Sequence, residues 1–161
     1  MNALLQKQFP HFAKSLVAIE AEDFEAPASE AAIQALEQHL QVTLPPSYKR
    51  FLRCTRGFTA LDGDMQLGLQ HPFFHTARPA GGPRRAALPP TEGMLCFADF
   101  SWEADGDQLL FDVQHPNAAG EYPVYYYAHA QRPPAARQIA DSFEQWLTEF
   151  PTYEGIADDE E

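Results

Sequence analysis

The hydrophobic period of this chain changes twice. Up to Gly57 the apolar residues recur every three or four positions. From there to about residue 128 they alternate or form short runs between turn residues. From Ile139 onward the helical spacing returns. One element cannot satisfy both periods, so the order is helices, then strands, then a helix. That order is α+β: an N-terminal helical hairpin, a central antiparallel or mixed β-sheet with helices packed on one side, and a C-terminal helix.

The helical part is punctuated by proline. Leu4, Leu5, Phe9, Phe12, Leu16 and Ile19 fit a helix over 2–19 that Pro10 interrupts, leaving a short turn and then a helix opening at the proline. Residues 20–28 are acidic, contain Pro27 and read as a linker. Ser29 is a good N-cap, and Glu30 puts negative charge where the helix dipole favours it. Ile33, Leu36 and Leu40 then form an apolar stripe. Leu44-Pro45-Pro46 ends that helix and opens the next. Tyr48, Phe51 and Leu52 line one face of it, Lys49, Arg50 and Arg53 point away, and Gly57 is read as its stop.

In the extended part, Asp62-Gly63 is a hairpin turn before a strand over Met65–Leu69. Residues 70–92 hold Pro72, Pro79, Gly81, Gly82, Pro83, Pro89 and Pro90 and read as a long loop. Met94–Phe97 is a short buried strand. Asp105-Gly106 is a turn, Gln108–Val113 a strand with Leu109, Phe111 and Val113 on one face, and Asn117–Gly120 another turn. Val124–Ala128 is an aromatic strand. Ile139, Phe143, Trp146, Leu147 and Phe150 mark the last helix.

With 161 residues and no repeat, the chain is expected to be one domain, 1–161, with its core at about 27–150 and an acidic tail at 154–161. No apolar run is long enough to span a bilayer, and the N-terminus lacks the pattern of a secretory signal. Two cysteines, Cys54 and Cys96, make no disulfide framework and read as small packed residues, so a cytoplasmic location is expected. The net charge is -12. Residues 1–80 hold 7 basic and 8 acidic residues, and residues 81–161 hold 4 and 15. Such a balance repels phosphate backbones and anionic membranes, which argues against both as partners. It suits solubility, and equally a basic protein partner.

No motif for catalysis stands out. His71 and His75 have i, i+4 spacing, but Pro72 lies between them and no metalloprotease glutamate accompanies them, so a polar loop is favoured over a metal site. Glu103-Ala104-Asp105-Gly106-Asp107 lacks the ligand pattern of a calcium loop. There is no nucleophile elbow and no phosphate-cradling glycine loop. The expectation is a protein that is not an enzyme, with no cofactor, no metal and no catalytic residue.

Residues 29–58, SEAAIQALEQHLQVTLPPSYKRFLRCTRGF, have an apolar helix with a central glutamate, Glu37, then Leu44-Pro45, an aromatic-rich helix and a closing glycine. Residues 95–112 give a strand, a turn with Gly106-Asp107, and a second strand. PVYYYAH at 123–129 and IADSFEQWL at 139–147 follow. In this order the pieces resemble the SUKH superfamily, the family of the yeast Smi and Knr cell-wall regulators, from about residue 27 to 148. The family usually has a glycine two or three residues before the Leu-Pro, where this chain has Gln41-Val42-Thr43. The resemblance implies a protein-binding role. Bacterial members are similar in role to immunity proteins that neutralise a cognate secreted toxin, often a nuclease. Fungal members act as regulatory scaffolds. The short chain fits the bacterial role, with a basic toxin as partner and a monomer or weak homo-oligomer as the state. A scaffold with an endogenous partner is the alternative, and a metal-dependent enzyme using His71 and His75 a minor one. On that reading the partner-binding candidates are Trp102 as the first anchor, with Tyr122 and Phe100 weaker, and Glu103, Asp105 and Asp107 as charges facing a basic cleft.

Overall fold

The structure, a computed structural model, describes residues 3–12, 22–60, 65–68, 93–100, 107–128 and 135–149. Helix α1 spans Ala3–Gln8. The chain leaves the helix at Phe9, where the Pro10 ring disfavours helical angles, and re-enters it over residues 10–12, for which the fixed φ of Pro10 is suited. Helix α2, Glu30–Leu40, opens at Ser29, whose hydroxyl accepts from the N–H of Ala32. Helix α3 is Pro46–Leu52, and α4 is Phe143–Glu149. Among the described residues six strands lie between: β1 Gly57–Ala60, β2 Met65–Gly68, β3 Met94–Phe100, β4 Asp107–Asp112, β5 Val124–Ala128 and β6 Ala135–Ala140.

The strands form one sheet in chain order, and every pairing is antiparallel, so the mixed alternative is set aside. A register shift lies between Cys96 and Ala98. It lets Phe97 and Ala98 both join the helix-side core, whereas strict alternation would turn one of them away. Phe97 then stacks on Phe111 with ring centroids 4.1 Å apart. Tyr48, Phe51, Phe58, Phe143 and Trp146 complete an aromatic core between the sheet and the helices. A smaller buried group, Cys96, Leu110 and Tyr127, occupies the alternate positions of β3, β4 and β5. Cys54 joins the large cluster and Cys96 the small one, and neither is in a disulfide.

Three expectations need correction. Residues 22–28 are no simple linker. Glu22 and Thr59 exchange backbone hydrogen bonds, Glu25 N–H donates to the Gly57 carbonyl, and Ala28 N–H to that of Leu52. This segment therefore covers the outer edge of β1, a standard need of an edge strand. Gly57 does not stop α3. That helix ends at Leu52, Arg53 keeps right-handed angles, and Gly57 is the first residue of β1. Ile139 belongs to β6 and not to the last helix, which starts at Phe143 behind Ser142, whose hydroxyl accepts from Gln145 N–H. Two other strands differ at their ends: β3 runs on to Phe100, and β4 begins at Asp107. The Asp62-Gly63 and Asp105-Gly106 turns, the 70–92 loop and the acidic tail lie outside the described residues, as does Phe150.

Candidate functional site

Helix α3 is placed by acidic side chains that come to it from elsewhere. Pro45 is its N-cap and has no side chain that accepts a hydrogen bond, and Pro46 has no N–H. The first free donor is Ser47. Glu121, arriving from the β4–β5 connection, accepts from Ser47 N–H at 2.8 Å and from Ser47 Oγ at 2.6 Å. Glu37, at the end of α2, accepts from Leu44 N–H at 2.7 Å and pairs with Lys49 Nζ at 3.1 Å. Tyr122 donates its hydroxyl to the Thr43 carbonyl at 2.7 Å. Residues 43–47 are thus held at three points, by Glu37 from the preceding helix and by Glu121 and Tyr122 from the far side of the sequence.

The positive charge around α3 is internally matched. Lys49 meets Glu37, Arg50 meets Glu144 on α4, Arg53 meets Glu30 on α2, and Arg56 meets Glu25 in the edge segment. The Arg53 hydrogen bond holds the Glu30 carboxyl below the usual carboxylate range and raises the guanidinium of Arg53. Arg50 also lies over the Phe9 ring, 4.6 Å from its centroid.

The β4–β5 connection is pinned at both ends. Asp112 accepts from Gln114 N–H through Oδ1 and holds His115 Nδ1 at 2.7 Å through Oδ2. Asn117 Oδ1 accepts from the N–H groups of Ala119 and Glu121. Side chains 114–119 are exposed on this fixed loop. Beside it, the C-terminal end of α2 bounds a shallow depression lined by Gln34, Glu37, Gln38, Gln41, Val42 and Thr43.

The sequence-predicted site residues are not gathered in one place. Trp102, Glu103 and Asp105 lie outside the described residues, as do His71 and His75, and the Phe100 side chain is likewise not described. Asp107 is not a turn residue. It is the first residue of β4, only 8% exposed, and its Oδ2 accepts from the Tyr126 hydroxyl. Burial and then the negative Asp107 carboxylate push the Tyr126 phenol well above its ordinary value. Tyr122 is buried, and burial followed by the charge of Glu37 raises its phenol. It precedes β5 where Phe111 pairs with Val124, so β4 separates it from Asp107 by roughly 15 Å. Among the described residues no cluster of three or more His, Cys, Asp or Glu side chains is arranged to hold a metal. Glu121 was not singled out by the sequence, because its partner lies 74 residues away and no local pattern announces such a contact.

The model of the SMI1 / KNR4 family (SUKH-1) matches residues 27–149. The chain belongs to this family. The matched region runs from the edge segment through α4 and includes Glu37, which here fixes the α2–α3 connection. SUKH-1 membership is consistent with an immunity-type or protein-binding domain. None of the curated proteins matches the chain significantly.

Proposed function

We propose that this SUKH-1 protein is a non-catalytic immunity protein that binds and neutralises a cognate secreted bacterial toxin. A basic nuclease is the toxin class its charge suits. The observation that carries this reading is how the charge is used. All four cations of α3 and the turn after it are matched by glutamates of the same chain, while the net charge stays at -12. The basic side chains around α3 are therefore occupied within the chain, and the net negative surplus is left to draw in a cationic protein. Trp102, Glu103 and Asp105 are proposed as contacts on the strand-bearing half. Asp107 is proposed to support that surface from within, given its buried hydrogen bond to Tyr126, while Tyr122 braces the α2–α3 connection through Thr43.

The test is protection. Co-expression with the toxin encoded beside this chain should rescue growth, and the purified pair should form a complex whose association slows as salt rises. Absence of both rescue and complex, with retention of an endogenous protein in a pull-down, would favour the regulatory scaffold instead.

A further inference from the structure

We propose that the aromatic groove between α3 and β1 is a docking site for an amphipathic helix of a partner protein, and that residues 3–12 of this chain are its displaceable internal occupant. The helix that fits carries apolar anchors at i, i+4 and i+7 and a carboxylate on the same face. This inference goes beyond the immunity reading and does not depend on a toxin.

The groove is seen filled. Phe51 of α3 and Phe58 of β1 form its floor, and Phe24 of the edge segment stands against Phe58 with ring centroids 5.4 Å apart. Phe9 and Phe12 each lie 6.4 Å from the Phe51 ring, and Phe12 lies 5.9 Å from that of Phe58. Leu5, Phe9 and Phe12 are buried, while Leu4, Gln6, Lys7, Gln8 and His11 are exposed. Three anchors on one face at these spacings are how a helix seats in a hydrophobic groove. The occupant thus displays the shape that the groove accepts.

The occupant is weakly tied to the domain. It lies outside the family region at 27–149, whereas Phe51 and Phe58 lie inside it. The groove therefore belongs to the family domain and its filling does not. Helix α1 is six residues long, too short to hold together by itself. Burial of three side chains has to offset the ordering of the whole segment, and the two effects are of comparable size. Such a segment opens locally before the core does.

Arg50 sets the chemistry of a better occupant. Its guanidinium carbon lies 4.6 Å from the centroid of the Phe9 ring, and its Nη2 donates to Glu144 at 2.6 Å. Its Nε is buried and has no acceptor. A buried donor without a partner is a cost to the fold. Residues 3–12 offer Arg50 an aromatic face but leave Nε unpaired, so they match the groove in shape and fall short in charge. A carboxylate one turn from the central aromatic anchor would supply the missing acceptor.

The experiment uses the full chain and two labelled peptides: residues 1–12 of this chain, and the same peptide with Gln6→Glu. Gln6 precedes Phe9 by three residues and so shares its face. Anisotropy measures their binding to the wild-type chain and to a Phe9→Ser, Phe12→Ser variant, which loosens the internal occupant. The variant should bind each peptide about tenfold tighter than wild type does. It should also prefer the Gln6→Glu peptide about tenfold, and adding Arg50→Met should erase that preference. Where the variant is destabilised, either peptide added in trans should raise its melting temperature. Amide exchange in the wild-type chain should be faster over residues 3–12 than over 30–40. A variant that stays folded and binds neither peptide overturns the docking site. So does one that unfolds and is not rescued, since the segment would then be an integral part of the core. Equal binding of the two peptides overturns the acidic chemistry. A wild-type chain that dimerises as concentration rises, and stops doing so when Phe9 and Phe12 are replaced, overturns the partner assignment in favour of a second copy.

Discussion

Side chains that brace the backbone from a distance decide much of the local geometry here. Glu121 caps α3 where Pro45 cannot, with one carboxylate oxygen on Ser47 N–H and the other on Ser47 Oγ. Glu121→Ala should therefore lower stability by about 1–2 kcal/mol in urea titration, and Glu121→Gln by less, since the amide still offers one acceptor. Gly93 makes a different demand. Its φ is +84°, and a Cβ there would lie 2.5 Å from Gln114 carbons. Gly93→Ala should cost about 1–3 kcal/mol by the same measurement, because even if the Gln114 side chain moves away the backbone angle stays unfavourable. At this scale the sequence shows only what is local. Ser29 was readable as a cap because its acceptor serves an amide three residues on. The Glu121 and Tyr122 contacts reach back 74 and 79 residues, and only the assembled fold reveals them.

Elements were legible where one face is buried and the other is not. Val124–Ala128 matches its strand because its side chains alternate between the two packed groups, and α2 follows its apolar stripe. β6 was missed for a physical reason. Its segment, Ala-Ala-Arg-Gln-Ile-Ala, has little apolar alternation, and Ile139 falls at helical spacing from Phe143 and Trp146. The strand is specified by backbone pairing to β5, which composition does not record. The edge segment at 22–28 was misread on the same ground. It is tied down by backbone bonds and by Thr55, buried at 0% exposure, whose Oγ1 donates to the Glu25 or Gly57 carbonyl and accepts from Gly57 N–H. Thr55→Val keeps the shape and removes those bonds. It should cost about 1–3 kcal/mol in denaturant titration. Amide exchange should accelerate first at Glu22 and Glu25, and uniform acceleration across the sheet would show that the segment is not a separate unit.

For the whole molecule, two electrostatic consequences can be separated by experiment. The first concerns alkaline stability. Burial raises the phenols of Tyr48, Tyr122 and Tyr126, with the Asp107 carboxylate adding to the effect at Tyr126. In the unfolded chain tyrosine ionises near pH 10. Between that value and the higher folded ones the unfolded state holds fewer protons, so stability is intact below about pH 10 and falls as pH rises above it. Thermal melts from pH 9 to 11 should show this fall, and Tyr126→Phe should reduce its slope. A flat profile would refute it.

The second consequence concerns the surplus of acid after residue 80, which at first suits solubility as well as it suits a partner. The structure divides the carboxylates proposed for that role. Asp107 is buried and accepts from Tyr126, so Asp107→Asn should act mainly on folding, through a weakened hydrogen bond. Glu103→Gln with Asp105→Asn should act on association instead. On the immunity reading the pair should slow binding of the inactivated toxin domain several-fold at low salt, with the melting temperature nearly unchanged and the difference vanishing as salt rises. An association rate that is unaffected at low salt would move the partner contact away from this turn.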